Sequence, residues 1–235
     1  MTNRRVTSAI AQCIGLLVIV NLVANRVVDG LFVVVVNTVA SIALLAMARR
    51  GGATRTSLGV DAEAFTRGWR AARWFVVGLV VVFAVGLSLP ATRELFEDER
   101  VRGMGGFDVA YHALIAVPFG TVLLEEVAFR GVLPALFAST KSRWHGIVIA
   151  SLLFGFWHVL PAWDIYRVNP VLRDLLHGTA GRVVGVSIGV ISTALVGLAW
   201  CWLRYRTSSL WTTVILHVAS NSLGYLFAYL AWSVH

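Results

Sequence analysis

The sequence predicts an all-α fold, a polytopic transmembrane helix bundle with seven to eight spans. Hydrophobic residues make up 58% of the 235 positions and charged residues only 14%, a composition too apolar for a soluble domain. Seven apolar runs approach the roughly 20 residues that a helix needs to cross a bilayer. The runs show little alternation of polar and apolar residues, which argues against a transmembrane barrel.

The apolar runs follow one another with short links. They cover residues 8–25, 30–48, 73–90, 107–138, 145–162, 183–203 and 209–232. The fourth run is long enough to be broken in two, which leaves the count at seven or eight. An odd count places the two chain ends on opposite sides of the membrane, and an even count places them on the same side.

Arginines in the links predict the orientation of the spans. Arg4 and Arg5 precede the first run and six arginines crowd the link 49–73, whereas the link "RELFEDERVRG" is acidic on balance. By the positive-inside rule, the N-terminus and the Arg-rich links face the cytoplasm. Nineteen of the twenty basic residues are arginine, a bias of GC-rich coding that indicates a bacterium. The expected location is therefore the bacterial cell membrane.

The net charge of +8 raises the question of nucleic-acid binding. The basic residues are scattered through the links, with no basic stripe and no nucleic-acid motif. We therefore expect no nucleic-acid partner and assign the charge to topology and to anionic lipid.

Two other patterns predict structure. The link 49–73 combines helix formers with arginines near Trp69 and Trp74, as in a membrane-surface helix that runs into the third span. From residue 181 into the sixth run, small residues recur at every fourth position, which favours close packing of two helices. They are Gly181, Gly185, Gly189, Thr193 and Gly197.

Two of the twelve acidic residues, Glu125 and Glu126, lie within an apolar run. A charge at mid-bilayer costs on the order of 3 kcal/mol, so such groups are functional candidates by default. Glu126 and Arg130 are four residues apart on one helix face and can form an ion pair that serves packing. Glu125 has no local cation, which makes it the stronger functional candidate.

Histidines also lie in apolar runs. Phe154 shares a helix face with His158, and Asn221 shares one with His217, because each pair is four residues apart. His112 and His177 have no such companion, and we assign them no role.

Depth in the membrane predicts which of these groups meet. The hydrophilic turn "TKSRWH" lies midway between Glu125 and His158. If both arms are helical, the two side chains lie at the same height of a hairpin, roughly 20–25 Å from its tip. His217 lies eleven residues beyond Arg206, another cytoplasmic marker, and reaches a similar depth.

A carboxylate, two imidazoles and a carboxamide at one depth suit hydrolysis. A glutamate beside a histidine can activate water as a general base, and a second histidine with an asparagine can stabilise an oxyanion. No Ser or Cys stands in a nucleophile motif and HExxH is absent, which favours direct attack by water. One Glu and two His would also suit zinc, with Glu125, His158 and His217 as ligands. Buried ionisable groups equally serve proton-coupled transporters, but the sequence lacks the repeats expected of those.

Three motifs in order resemble those of a known family. "EEVAFRG" matches EExxxR, "FGFWH" matches FxxxH and "HVASN" matches HxxxN, all within residues 115–230. The chain thus resembles the CPBP family, which contains CAAX proteases and bacteriocin-processing enzymes and is also called the Abi family. The resemblance implies an intramembrane endopeptidase that depends on glutamate, with no cofactor and with zinc as the alternative.

The resemblance also implies roles for individual residues. Glu125 would activate water with His158, while His217 and Asn221 would stabilise the oxyanion. The implied catalytic residues are Glu125, His158, His217 and Asn221. The implied supporting residues are Glu126, Arg130 and Phe154.

The resemblance divides the chain into two parts of one membrane domain. Residues 1–106 supply N-terminal spans and the interfacial segment, and residues 107–235 form the catalytic helix bundle. The expected substrate is a membrane-associated peptide or protein in the lipid bilayer, and a non-catalytic bacteriocin-immunity or scaffold protein is the alternative. The long polar link 159–182 is expected to be a solvated loop, or a lid over the site on the outer side.

Overall fold

The computed structural model describes residues 2–165, 168, 170–175 and 178–233. Seven helices in this part of the chain are long and apolar enough to cross a membrane, which confirms the all-α polytopic fold. In chain order the helices are α1 (Thr2–Arg26), α2 (Gly30–Arg50), α3 (Arg55–Leu58), α4 (Ala64–Ser88), α5 (Pro90–Arg93), α6 (Gly106–Thr140), α7 (Arg143–Trp157), α8 (Val159–Ala162), α9 (Pro170–Leu175), α10 (Gly178–Thr207) and α11 (Leu210–Trp232).

The fourth span, α6, is one helical run, so the break that would give an eighth span does not occur in it. Its winding is irregular, with π-helical stretches at His112–Ala116, Pro118–Val122 and Val127–Val132. Pro118 has no N–H to continue a regular ladder, which favours such a change in winding. The α-helical turn Leu123–Glu126 carries the two buried glutamates between two of these stretches. Wide turns of this kind are frequent at functional sites.

The helices α6 and α7 form the predicted hairpin. Ser142 caps the start of α7 by accepting a hydrogen bond from the His145 N–H at 3.2 Å. The two arms approach closely at Gly146, where a Cβ would collide with the carbonyl oxygen of Pro134. His158 follows the last residue of α7, so the turn and both arms lie where the sequence predicted them.

The small residues of α10 pack against α7 and α8, as their spacing predicts. A Cβ on Gly189 would lie 2.9 Å from Ala162 Cβ, and one on Gly197 would lie 3.2 Å from the Phe154 ring. On the facing helix, a Cβ on Gly155 would lie 2.7 Å from the Val190 carbonyl oxygen. This close packing sets the distance between α7 and α10 around the site described below.

The first two helices brace the later ones through asparagines. Asn21 Nδ2 donates to the Trp157 carbonyl oxygen at 2.8 Å, and Asn37 Nδ2 donates to the Gly120 carbonyl oxygen at 2.5 Å. Both carbonyls lie where helical winding ends or widens. A backbone group without a partner is costly in hydrocarbon, so these bonds stabilise the irregular parts of α6 and α7.

The segment that was predicted to run into the third span is continuous with that span and forms the beginning of α4. Helix α4 starts at Ala64, whose carbonyl accepts a hydrogen bond from Ser209 Oγ at 2.6 Å, and the helix then packs along α11. Arg67 lies 2.8 Å from Asp61, and this hydrogen bond holds the pKa of the Asp61 carboxyl below its usual range. The link before the third span is thus tied to the turn between α10 and α11.

The long link 159–182 is only partly within the described residues. Its described part contains α8, α9 and the first residues of α10, and His177 lies outside it. The Glu99 N–H donates to the Val168 carbonyl oxygen at 2.9 Å, and Arg173 lies 3.3 Å from the Glu99 carboxylate. The link therefore contacts the segment that follows α5.

Candidate active site

A cavity of about 330 Å³ lies between α6, α7, α10 and α11. All four residues predicted to be catalytic line it, namely Glu125, His158, His217 and Asn221. They come from three helical segments that are distant in sequence, and the hairpin and the packing of α11 bring them together. The predicted meeting of these side chains is present in the structure, while their chemical roles stay predictions.

Glu125 is held by Trp157, a residue that no sequence motif predicted to be functional. Its side chain is buried, and its Oε1 accepts a hydrogen bond from Trp157 Nε1 at 3.0 Å. Its Oε2 lies 3.8 Å from His217 Nε2. One carboxylate oxygen is therefore fixed by the indole, and the other is presented to an imidazole of the site.

A signal for Trp157 was available in the sequence. An indole N–H in an apolar run needs a hydrogen-bond partner when it is buried. Trp157 lies beside His158, so the hairpin places it at the depth of Glu125 as well. The depth of the hairpin therefore predicted Trp157, as well as His158, near Glu125.

His158 is oriented by its own helix. Its Nδ1 lies 2.8 Å from the Phe154 carbonyl oxygen, and its ring packs edge-on against the Phe154 ring at 4.5 Å between centroids. A carbonyl oxygen only accepts hydrogen bonds, so Nδ1 carries the proton in this contact. In the neutral ring, Nε2 then has the lone pair that can accept a proton in the cavity.

His217 connects the two glutamates. Its Nδ1 lies 2.9 Å from Glu126 Oε1, and its Nε2 is the nitrogen nearer to Glu125. The Trp200 ring packs edge-on against the imidazole at 5.0 Å between centroids. Because the Glu126 carboxylate accepts from Nδ1, Nε2 is the atom that His217 offers to the site.

Glu126 and Arg130 form the ion pair that their spacing predicted. Both side chains are fully buried, with Arg130 Nη1 at 3.4 Å from Glu126 Oε1. The guanidinium lies 3.8 Å from the centre of the Phe154 ring and 5.4 Å from that of Trp200. Its three nitrogens have no hydrogen-bond partner among the described residues, so charge and aromatic faces hold the arginine.

Hydroxyl groups complete the polar lining of the cavity. Ser220 Oγ lies 3.0 Å from the His217 carbonyl oxygen and 3.4 Å from Asn221 Oδ1. With its oxygen facing Ser220, the Asn221 carboxamide keeps its NH₂ group for another acceptor. Thr121, Ser192 and Thr193 also line the cavity, although no sequence motif predicted a functional role for them.

The alternative set of zinc ligands is not gathered around one metal position. Among the described residues, no group of three or more His, Cys, Asp or Glu side chains is arranged to hold a metal ion. Glu125, His158 and His217 line one cavity but are not gathered as a three-ligand centre. As placed, these side chains do not fit a zinc site of the predicted kind.

Comparison with known families agrees with the three motifs. Residues 108–223 match the family model described as Type II CAAX prenyl endopeptidase Rce1-like, and this segment contains all four predicted catalytic residues. The chain belongs to this family of CAAX proteases, so it is an intramembrane protease and an integral, multi-pass membrane protein. No curated protein and no solved structure matches the chain significantly.

Proposed function

We propose that the protein is an intramembrane endopeptidase in which Glu125, with His158, activates water to hydrolyse a peptide bond of a membrane-associated substrate. The observation that supports this most is the single cavity lined by both residues together with His217 and Asn221. The membership of the protease family supports the same reaction class.

The first step is attack by water on the scissile carbonyl carbon. A water molecule between Glu125 and His158 transfers a proton to the Glu125 carboxylate while the water oxygen bonds to the carbonyl carbon. The Trp157 N–H stays on Oε1 and leaves Oε2 as the oxygen that accepts the proton. His158 orients the water through Nε2, because its Nδ1 is engaged by the backbone.

The second step is collapse of the tetrahedral intermediate. His217 Nε2 and the Asn221 NH₂ group donate hydrogen bonds to its oxyanion. To donate from both nitrogens His217 must be an imidazolium, for which Glu126 at 2.9 Å from Nδ1 is the counter-ion. The carbon–nitrogen bond then breaks, and the proton held by Glu125 passes to the leaving amine.

The proposed mechanism uses no cofactor. Glu125 takes the proton from water and later gives it to the leaving amine, so no proton transfer in these steps needs a bound metal. The alternative that the sequence left open is zinc held by Glu125, His158 and His217, although these side chains as placed are not gathered around one metal position. Cleavage that a chelator abolishes and added zinc restores would favour that alternative.

The proposed substrate is a peptide or small protein of the bilayer. The family name refers to prenylated CAAX proteins. The arginine-rich coding points to a bacterium, where prenylated partners are not expected. Peptide maturation, self-immunity to a bacteriocin or clipping of small membrane proteins therefore fits this chain better, with the N-terminus in the cytoplasm of a bacterial cell membrane.

The test is cleavage of a quenched library of membrane peptides by purified protein in liposomes. Wild type should cleave at least one member, and Glu125→Gln and His158→Ala should each lose this activity at an unchanged melting temperature. Glu63→Gln is the matched control, because its side chain is 85% exposed and lies outside the cavity. If Glu125→Gln cleaves as fast as wild type, the proposed mechanism is wrong. If wild type cleaves no member of the library, the assignment as a protease is contradicted and a binding protein is favoured.

A further inference from the structure

A polar cavity of about 350 Å³ lies between the start of α1 and the end of α2. It shares no lining residue with the candidate active site, and the proposed peptidase mechanism uses none of its side chains. Three arginines line it, Arg4, Arg5 and Arg50, together with Ser8 and Gln12 among others. We call this cavity the arginine pocket.

The packing of α1 against α2 brings the arginines together. A Cβ on Gly51, directly after Arg50, would lie 2.8 Å from Ala9 Cβ. The Gly51 N–H donates to the Met47 carbonyl oxygen at 2.9 Å and closes the end of α2. Because Ala9 is one helical turn from Arg5, this close contact places Arg50 beside the first turns of α1.

The positive charge of the arginine pocket is not compensated by any described residue. No Asp or Glu lines the pocket, and none of its three arginines forms an ion pair with a described residue. Three like charges around one cavity repel one another. An anion in the cavity would remove this repulsion and give the guanidinium groups an acceptor.

Two uncharged donors extend the lining along α1. Gln12 Nε2 donates to Ser8 Oγ at 3.4 Å. The Ser8 O–H and the second amide N–H of Gln12 have no acceptor among the described residues, so both can donate to a ligand. Guanidinium groups match phosphate oxygens with pairs of parallel hydrogen bonds. The lining therefore has the donors that a phosphate group requires.

The arginine pocket lies at the height of the lipid phosphates. Arg4 and Arg5 precede the first apolar run and Arg50 follows the second, so the pocket lies at the edge of the hydrocarbon. By the positive-inside rule, this edge faces the cytoplasm. The cytoplasmic leaflet carries anionic lipid, and basic residues at its surface attract that lipid.

The face of α1 that continues from the pocket into the membrane leaves room for lipid tails. Gly15, Ile19 and Leu22 lie three, seven and ten residues after Gln12 and continue its helix face. Ile19 is 61% exposed, Leu22 is 51% exposed, and a Cβ on Gly15 would meet nothing within 4 Å. A lipid whose phosphate occupies the pocket therefore keeps its tails in hydrocarbon along this face.

We propose that the arginine pocket binds the phosphate of an anionic phospholipid from the cytoplasmic leaflet. Arg4, Arg5 and Arg50 hold the phosphate oxygens, and Ser8 and Gln12 donate hydrogen bonds from the deeper side. The bound lipid joins α1 to α2 at the membrane surface. The inference is independent of the proposed peptidase function, so failure of either one leaves the other standing.

The test is binding of tail-labelled phospholipids to the purified protein in an uncharged detergent, followed by fluorescence anisotropy. Phosphatidylglycerol and phosphatidylcholine are the probes, because both contain a phosphate and only the first is anionic overall. We expect phosphatidylglycerol to bind about tenfold or more tightly, in line with charge-assisted hydrogen bonds. Inorganic phosphate at the same concentration as the lipid, and at constant ionic strength, should not displace it.

Substitutions in the pocket should remove the preference for the anionic lipid. Arg4→Gln, Arg5→Gln and Arg50→Gln combined should abolish it, because the cations that pair with the phosphate are gone. Gln12→Leu changes no charge and should weaken binding of phosphatidylglycerol severalfold through the lost amide donor. All these side chains are exposed, so the melting temperature without added lipid should stay that of wild type.

The matched control is the combination of Arg70→Gln, Arg73→Gln and Arg206→Gln. These arginines are exposed, are placed on the same membrane face by the positive-inside rule and do not line the pocket. The control loses the same charge and should keep the preference. Three results would each overturn the inference: equal binding of the two lipids by wild type, an equal loss of preference in both triple variants, or displacement by an equal concentration of phosphate.

Discussion

At the scale of single residues, the Trp157 indole decides which oxygen of Glu125 is available. The hydrogen bond of 3.0 Å engages Oε1, and the Asn21 amide in turn holds the Trp157 carbonyl. A buried carboxylate that lacks such a donor is costly to keep ionised. Trp157 therefore positions the proposed base without touching the substrate.

Trp157→Phe tests this role. The substitution keeps a ring against Phe129 but removes the N–H, so kcat should fall about 10- to 100-fold, as for loss of a hydrogen bond to a charged group. KM should stay within about twofold, because substrate contacts are unchanged. Steady-state kinetics on one cleaved peptide measure both.

The control for Trp157 is Trp202→Phe, at a tryptophan that is 49% exposed on α10. It should cleave like wild type. A purely structural role would be indicated if Trp157→Phe lowered the melting temperature and left kcat unchanged.

The buried ion pair of Glu126 and Arg130 stabilises the folded protein. Glu126 is the only carboxylate within ion-pair distance of the buried Arg130 guanidinium among the described residues, and it also holds His217. Removing one member of a buried pair leaves a charge without compensation, at a cost of about 3–5 kcal/mol.

Glu126→Gln should therefore lower the free energy of unfolding by about that amount. Unfolding in detergent by SDS, followed by circular dichroism, measures the change. Glu126→Gln combined with Arg130→Met should lose less than the sum of the two single losses. Additive losses would show that the two side chains do not interact.

The sequence predicted the depth of the site residues but not their direction around each helix. The midpoint of the hairpin placed Glu125 opposite His158 because a helix rises regularly. The contact of Trp157 with Glu125 depends on how α6 is wound, and its π-helical stretches change the angle between successive side chains. The spacing of a local motif does not report that angle, so the contact between Trp157 and Glu125 was not predicted.

At the scale of elements, the small residues set how closely α7 and α10 pack. Span positions were predictable from apolar length, although α4 starts at Ala64 and α10 at Gly178, before the apolar runs begin. The first turns of these helices are polar and project beyond the hydrocarbon, so a prediction from the length of the apolar run does not include them. The face on which Gly189 and Gly197 lie was predictable because their spacing repeats every fourth residue.

Gly155→Ala tests this packing. The added methyl would meet the Val190 carbonyl oxygen at 2.7 Å and Ala194 Cβ at 2.9 Å, so the helices must separate. Overpacking of this kind costs about 1–3 kcal/mol, and cleavage should fall with it because His158 and Thr193 move apart. Gly78→Ala, with nothing within 4 Å of the new methyl, is the matched control and should lose no stability. Equal stability of the two variants would refute the close packing.

At the scale of the whole molecule, seven spans place the chain ends on opposite faces of the membrane. The Arg-rich ends of the spans and the α6–α7 turn lie on one face, and the acidic link before α6 lies on the other. A cavity of about 520 Å³ adjoins the candidate active site and extends toward the second face, since its lining follows α11 from Asn221 to Ala228. If the N-terminus lies in the cytoplasm, as the positive-inside rule predicts, we expect the substrate to enter from the outer side.

Single added cysteines test this topology. A thiol reagent that does not cross membranes should label Ser233→Cys in intact cells and Ser142→Cys only after permeabilisation. Cys13 and Cys201 are buried, so the native background is low. The reverse labelling pattern would place the N-terminus outside the cell.

The central claim is that the Glu125 carboxylate activates water, and single-turnover cleavage of a bound peptide tests it most directly. Binding is first measured by anisotropy for wild type and Glu125→Gln, and the cleavage rate is then measured at saturating protein. The account predicts equal affinity and a rate at least about 100-fold lower in the variant, as for loss of a general base. Glu125→Gln that binds the peptide and cleaves it at the wild-type rate would contradict the account.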